Sequence, residues 1–355
     1  MERPQRQIIL PSTPEYPRHS EATAVQLNNG DILLAWSKFQ VERRPDGRLL
    51  SGDNARAHIA GLISRDGGYT WEDEHVLVEN TAGLNVMAPA IRRLKDGGLG
   101  MIYSHRDSTT EAHRLFMRSD DEGQTWSTPV KMTHDAYKTG CHDRLTVLDS
   151  GRLAAPLHCT DDWHDHHLHV RVALSDDHGE SWRLTDPIEL PRVSDSGESG
   201  GIEPGIVQRA DGSLLMVIRT AMGTIFRVES HDGGDTWEEL RSMEVVAPVA
   251  PSLIDRIPNS NDLLLIWNWR WNWRENLAGT RRPLAIGLST DGGDSWPWSR
   301  RKILEDDPAY TYAYPSCLML EDRALVTYFV TDPKNPIGTN RALAVMHVPY
   351  EWIYA

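Results

Sequence analysis

The sequence predicts an all-β protein, a six-bladed β-propeller of four-stranded antiparallel blades that spans residues 1–355 as a single domain. Three observations predict it. First, the phrase Ser-x-Asp-x-Gly-x-Thr/Ser-Trp occurs five times, at residues 64–71, 119–126, 175–182, 230–237 and 289–296. Its starts lie 55, 56, 55 and 59 residues apart, and a fixed period of about 50 residues marks an array of similar supersecondary units. Second, six hairpin-like segments punctuate the chain, at 21–37, 87–104, 142–159, 203–220, 250–268 and 314–329. Third, no segment with a helical apolar period has useful length.

Each unit reads as four strands. The hairpin supplies two, and Asn29-Gly30, Asp96-Gly97, Ser150-Gly151 and Asp211-Gly212 are strong turn signals between them. A third strand runs into the phrase, as at 58–63 or 169–174, and a fourth leaves it, as at 75–78. Six such units describe radial blades. The sixth lacks the phrase and ends at 343–348, so residues 7–10 are expected to pair there and close the ring. The stretch 267–273 alternates Trp with polar residues and reads as strand plus loop. The phrase has a structural cause. Its Asp accepts hydrogen bonds from its own tight turn, Gly supplies a positive φ, and Trp fills apolar space. The five copies are therefore not expected to be ligand sites.

Composition excludes several functions. A formal net charge of −14 argues against nucleic acid and anionic membranes as partners. A local arginine cluster still permits an anionic substrate. Three unevenly spaced cysteines, Cys141, Cys159 and Cys317, read as reduced thiols. The N-terminus lacks a signal-peptide apolar core, and no apolar run approaches a membrane span, so a cytoplasmic protein is expected. Oligomeric state is not legible.

In a propeller, three positions of each blade converge at one mouth. These are the start of the innermost strand, the end of the second and the start of the third. Equivalent positions can then be compared between units. Innermost starts give Glu21, Asp143 with Arg144, Glu203 and Tyr314, against bland Ala88-Pro89 and Ala250-Pro251. Second-strand ends give Lys38, His105 with Arg106, His158 and Arg219. Third-strand starts give Asp53 with Arg56, His167 and Arg281.

Five such phrases on a six-unit pattern resemble the sialidase (neuraminidase) superfamily, where the motif is known as the Asp box. The stretches around Glu203, Arg281 and Tyr314 resemble bacterial BNR-repeat sialidase-like proteins. The resemblance implies a glycoside hydrolase with a Tyr nucleophile polarised by Glu, an Asp acid/base and three arginines that grip a substrate carboxylate. Carried over residue by residue, Tyr314 matches the nucleophile, with Tyr312 as its rival, and Glu203 matches its partner. Arg219 matches the second arginine, sixteen residues after Glu203, and Arg281 the third, with Arg282 as alternate. Asp53, eleven residues before the first phrase, matches the acid/base.

The chemistry is coherent. A phenol needs a carboxylate to take its proton near neutrality, a neutral nucleophile suits an anionic sugar, and guanidinium binds carboxylate bidentately. A Tyr nucleophile departs from the usual carboxylate pair of glycosidases. The first unit also departs. The family's first arginine falls near Ser20, within Arg18-His19-Ser20-Glu21-Ala22. Arg18 is two residues early, and Glu21 adds a negative charge where a carboxylate would sit. His142-Asp143-Arg144 is an extra polar cluster whose Arg144 is expected to supply the missing guanidinium.

The stretch 158–169 holds five histidines and three aspartates, but its spacing matches no standard metal site. It is expected to be a polar loop offering His158 or His164 to sugar hydroxyls. Gly-rich 197–201 lacks the strand-to-helix context of a phosphate cradle. Trp163, Trp269 and Trp271 are candidates for stacking on sugar faces or for packing between blades. No metal or cofactor is expected. The leading expectation is an exo-glycosidase acting on a terminal acidic sugar of a glycan. The alternatives are the same fold acting on a non-sialic sugar or as a polysaccharide lyase, and a carbohydrate-binding propeller without catalysis.

Overall fold

The computed structural model describes residues 3–43, 49–50, 52–134, 137–193, 199–270, 281–331, 334 and 340–355. The chain is all-β and propeller-like. One four-stranded antiparallel sheet runs through Arg18–Gln26, Ile32–Phe39, Ala57–Ser64 and Glu72–Val78 in chain order. Two more have the same meander: Ile202–Gln208 to Arg241–Val246, and Leu253–Arg256 to Arg301–Glu305. In the last sheet, Thr311–Met319, Arg323–Thr331 and Ala342–Pro349 take the N-terminal Arg6–Leu10 as their fourth strand. Gln7 pairs with Val345 and Ile8 with Ala344, so the two chain ends share one sheet.

The second and third units differ from expectation. They form one ten-stranded sheet, not two separate ones. Tyr137–Thr139 joins them, parallel to Ala112–Ser119 and antiparallel to Leu153–Thr160. Only Thr146–Val147 pairs as the innermost strand of the third unit. One five-residue helix, Tyr350–Tyr354, closes the chain. Among the described residues no helix is long and apolar enough to cross a membrane.

Apolar side chains pack between sheets. Along Ile32–Phe39, Ile32, Leu34 and Trp36 face the last sheet's Leu325, Leu343 and Val345. The alternate residues Leu33 and Ala35 face Ile91, Leu99 and Met101 of the next unit. Both faces are covered, so these strands read as nearly continuous apolar runs, and the period-two alternation chooses the partner. Each phrase tryptophan enters one of these layers, Trp71 with the last sheet and Trp126 with the first. Trp267 of the Trp-rich stretch is buried, and Trp269 packs edge-on against Trp298 at 4.8 Å. Trp271 lies outside the described residues.

The five phrases adopt one turn. In the first, Ser64 Oγ donates to Asp66 and accepts from Gly68 N at 2.8 Å, while Asp66 accepts from Thr70 N and Thr70 Oγ1. The later copies repeat the serine bond through Gly123, Gly179, Gly234 and Gly293, at 2.8–2.9 Å.

Candidate active site

The innermost strands share a local distortion. Glu21, Ala88, Asp143, Glu203 and Tyr314 all adopt a left-handed backbone, with φ of +52°, +55°, +54°, +45° and +58°. The ladder register shifts beside four of them, between Ser20 and Thr23, Met87 and Ala90, Ile202 and Gly205, and Ala313 and Ser316. A β-bulge inserts a residue and re-aims side chains. Four of these residues, Glu21, Ala88, Glu203 and Tyr314, thereby line one cavity of about 520 Å³, together with Asp53, Arg106, His142, His158, Trp163 and Arg219.

Tyr314 sits at the centre. Its ring stacks on Phe329 at 5.3 Å and tilts against His142 at 5.6 Å. The Arg281 guanidinium lies 5.4 Å from the ring centroid. Burial pushes the phenol well above its ordinary value and the Glu203 charge adds to this, against Arg219 and Arg281. Among the described residues the Tyr314 hydroxyl has no hydrogen-bond partner in this resting arrangement. Glu203 forms a buried ion pair with Arg219. Burial works to raise its carboxyl, but Arg219, His158 and Arg281 prevail and hold it below the ordinary value. Glu203 N donates to His158 Nδ1 at 3.3 Å, which leaves Nε2 of a neutral His158 as the donor. Burial pushes His158 down to about 4.

Asp53 stands at the rim, with a side chain 66% exposed. Arg18 holds its carboxyl far below the usual range. Arg18 itself is buried beneath the cavity wall. Its Nη atoms bond Asp53 and Glu21, and its Nε donates to Ser20 Oγ at 2.8 Å. Glu21 is thus both a lining residue and the counter-ion of Arg18. Arg106 donates to Asp53 O and to Asn54 Oδ1, which fixes the loop that carries Asp53.

Three expected site residues lie elsewhere. Arg144 does not reach the cavity. Its side chain passes over Gly205, where a Cβ would stand 3.0 Å from Nε, and Nη2 donates to Ser252 O at 2.6 Å. Asp143 is a structural hub. Its carboxylate accepts from Thr23 Oγ1 and Arg92 Nη1, each at 2.6 Å, and from Cys317 N at 3.3 Å. Both residues line a second cavity of about 510 Å³ among the downstream residues of the innermost strands. There burial raises Asp255 to about 6. Tyr312 is buried between sheets, edge-on to Tyr328, and its hydroxyl accepts from Arg6 at 3.4 Å. Simple alternation would put Tyr312 and Tyr314 on one face. The bulge after Ala313 separates them.

His142 stays in the cavity wall, fully buried. Its Nδ1 meets Cys141 Sγ at 3.2 Å, Nε2 has no partner, and burial pushes it down to about 4. His164 does not line the cavity, but Trp163 and His166 do. Trp163 packs on Tyr137 at 4.3 Å, which gives the wall an aromatic face. Among the described residues one trio has metal-ligand proximity, Asp107, Glu111 and His113, outside the cavity wall. Arg341 precedes the last unit's third strand, a position equivalent to Arg281, and its guanidinium lies 4.6 Å from the Phe329 ring centroid.

The family model for the BNR repeat-like domain matches residues 52–327. A Clostridium perfringens sialidase is 24% identical over 60% of this chain, and a Bacteroides fragilis (strain YCH46) sialidase is 24% identical over 79%. The chain spans 59% and 55% of their lengths. A Dyadobacter fermentans DSM 18053 structure of unknown function superposes with a TM-score of 0.77 at 18% identity, covering 98% of both chains. The leech intramolecular trans-sialidase superposes at 0.72 with 14% identity, covering 98% of this chain and 71% of its own. At these identities the structural likeness is one of fold.

Proposed function

The chain belongs to the BNR repeat-like domain family, within the sialidase superfamily, and from that premise we propose that it is a retaining exo-glycosidase acting on a terminal acidic sugar, its six units forming the blades of one propeller with five Asp boxes. One observation carries the reading. Tyr314 and the Glu203–Arg219 pair come from separate units into a single cavity, with Tyr314 and Glu203 each on a left-handed bulge.

In this reading Tyr314 Oη bonds the anomeric carbon as the glycosidic C–O bond breaks, and its proton passes to Glu203. The leaving oxygen takes a proton from Asp53. Water then attacks the tyrosyl-linked sugar, gives its proton back to Asp53 and releases Tyr314, which recovers its own from Glu203. The cation beside the Tyr314 ring and the Arg219 charge favour the developing phenolate. Asp53 carries a proton only when it leaves Arg18, so the acid step requires that pair to open.

Aryl glycosides of sialic acid, uronic acids and neutral sugars test this. Proton NMR should show retention in the first-formed anomer. Tyr314→Phe should cut turnover by about 10²–10⁴-fold while ligand affinity persists, because the ring keeps its stack on Phe329. Asp53→Asn should hurt alkyl glycosides far more than nitrophenyl ones, whose leaving oxygens need little proton. An inverted first product, or ligand binding without turnover of any sugar, overturns the reading.

A second reading rests on His142. A buried neutral imidazole with an unpartnered Nε2 beside Tyr314 suits proton abstraction from a uronate, with elimination in place of hydrolysis. The ultraviolet absorbance of an unsaturated uronate distinguishes it.

A further inference from the structure

We propose that the tip of the second unit's hairpin binds a divalent metal of the zinc class, held by His105, Asp107, Glu111 and His113. The inference does not depend on what the cavity binds.

The register places the four together. Strands Leu99–Arg106 and Ala112–Ser119 pair with His105 opposite His113 and Arg106 opposite Ala112. One rung further, Asp107 N donates to Glu111 O at 3.1 Å. Residues two apart on a strand share a face, so both histidines and both carboxylates stand on one side of this ribbon and Arg106 on the other. The chain spells the same symmetry, His-x-Asp-x-x-x-Glu-x-His.

Donor atoms of Asp107, Glu111 and His113 all lie within 4.8 Å of one another. His113 Nε2 stands 3.4 Å from Glu111 Oε1, and His105 Nδ1 stands 3.4 Å from Asp107 Oδ2. Zinc–ligand bonds of about 2.0–2.1 Å set the edge of a tetrahedron at roughly 3.3–3.4 Å. Both His–carboxylate pairs already match that edge, and the trio needs only a modest contraction.

His113 points to a ligand independently. Its side chain is 3% exposed, its Nδ1 has no partner, and its Nε2 has only the long contact with Glu111. A buried imidazole is seldom so poorly bonded, and coordination at Nε2 supplies a full bond. His105 Nε2 lies 3.3 Å from Thr81 Oγ1, and Asp107 Oδ1 accepts from Gly83 N at 3.3 Å, outer contacts that orient these two ligands. Lys131 is the cation that faces His113, and the two carboxylates outweigh it. Imidazole and carboxylate together suit zinc and its neighbours, whereas calcium and magnesium take oxygen alone. Four protein donors close a tetrahedral shell, which marks a structural site.

The position gives the metal a task. Arg106, on the other side of the ribbon, holds the Asp53 loop, and Thr109 at the tip lines the cavity. A metal at the tip clamps the hairpin on which that loop rests.

The test is zinc titration of the chelator-stripped full chain by calorimetry, with cobalt as a spectroscopic probe. One zinc per chain should bind, cobalt should show the intense visible absorption of a four-coordinate site, and calcium and magnesium should not compete. Asp107→Asn and Glu111→Gln, exposed and isosteric, should each weaken zinc by more than about 10-fold, since even outer-shell partners cost about 10- to 100-fold. His166→Ala, in the histidine-rich stretch 158–169, should leave zinc binding unchanged. Hydrogen exchange should slow at residues 105–113 when zinc is added. Absence of stoichiometric zinc, or zinc binding that survives either carboxylate substitution, overturns the proposal. So does zinc lost in His166→Ala, or protection confined to 158–169, because the metal would then sit in the other loop.

Discussion

Between the third and fourth strands of five units, the chain enters the left-handed backbone region at Gly68, Gly123, Gly179, Gly234 and Gly293. At the start of the innermost strands it enters the same region at Glu21, Ala88, Asp143, Glu203 and Tyr314. The turns are uniform in sequence because their geometry is local. A serine and an aspartate bond the backbone within a few residues, and the glycine at the fifth position of the phrase cannot grow a side chain. At Gly68 a Cβ would meet Leu325 Cδ2 at 2.9 Å. At Glu21, Ala88, Glu203 and Tyr314 the ladder to the hairpin partner resumes on either side of the bulge, so the strain is tolerated whatever the side chain is. One end of each unit is therefore free to diversify chemically while the other is not.

That difference has measurable consequences, the largest at Glu203. Glu203→Gln leaves the buried Arg219 charge without a counter-ion. Breaking such a pair costs about 3 kcal/mol, toward the lower end because the amide oxygen keeps one hydrogen bond. The pH dependence follows from the sign of the shift. The folded carboxyl lies below its unfolded value, so its contribution is complete above the unfolded pKa of about 4.3. It fades as pH falls through the lower folded value. Denaturant melts from pH 7 to pH 3 should show this acid loss in wild type, and a smaller one in the variant. Identical pH slopes would mean that the pair does not act as an ion pair.

The turns predict a smaller and more uniform effect. Ser230→Ala removes the acceptor for the buried Gly234 N–H, at a cost of about 1–3 kcal/mol. The equivalent serine in each phrase should cost the same within the scatter of such measurements, with no change in ligand binding. A several-fold spread among the five would break the claim that the turn is a local device.

The comparison also explains what could be read from the chain. The phrase spacing located the units, and comparing equivalent positions picked out Glu21, Asp53, Arg106, His158, Glu203, Arg219 and Tyr314, which all line the cavity. Side-chain direction after a bulge was not legible. Arg144 turns away over Gly205 and Tyr312 turns into a sheet interface, and neither depends on local sequence. Asp143 looked like a mouth residue because it carries charge. Its three partners lie 120, 51 and 174 residues away, so no local pattern announces its hub role. Tyr137–Thr139 lies outside the recurring segments, and the repeat therefore gave no warning that it would fuse two sheets.

The smallest expected effect is the most direct probe of the strain. Ala88 occupies a bulge but carries no chemistry, and its N donates to Ser37 Oγ at 2.9 Å. A left-handed backbone at a non-glycine residue costs roughly 1–2 kcal/mol. Ala88→Gly removes that strain but loosens the unfolded chain by about 0.4–1 kcal/mol and deletes a buried methyl worth about 0.8 kcal/mol. The terms nearly cancel, so stability should change by less than about 1 kcal/mol in urea. Gly68→Ala makes the reverse change in a turn, where Leu325 must also move, and it should destabilise distinctly more. A large gain from Ala88→Gly would mean that the bulge stores more strain than the ladder offsets. A large loss would mean that the methyl, rather than the ladder, holds the innermost strand in place.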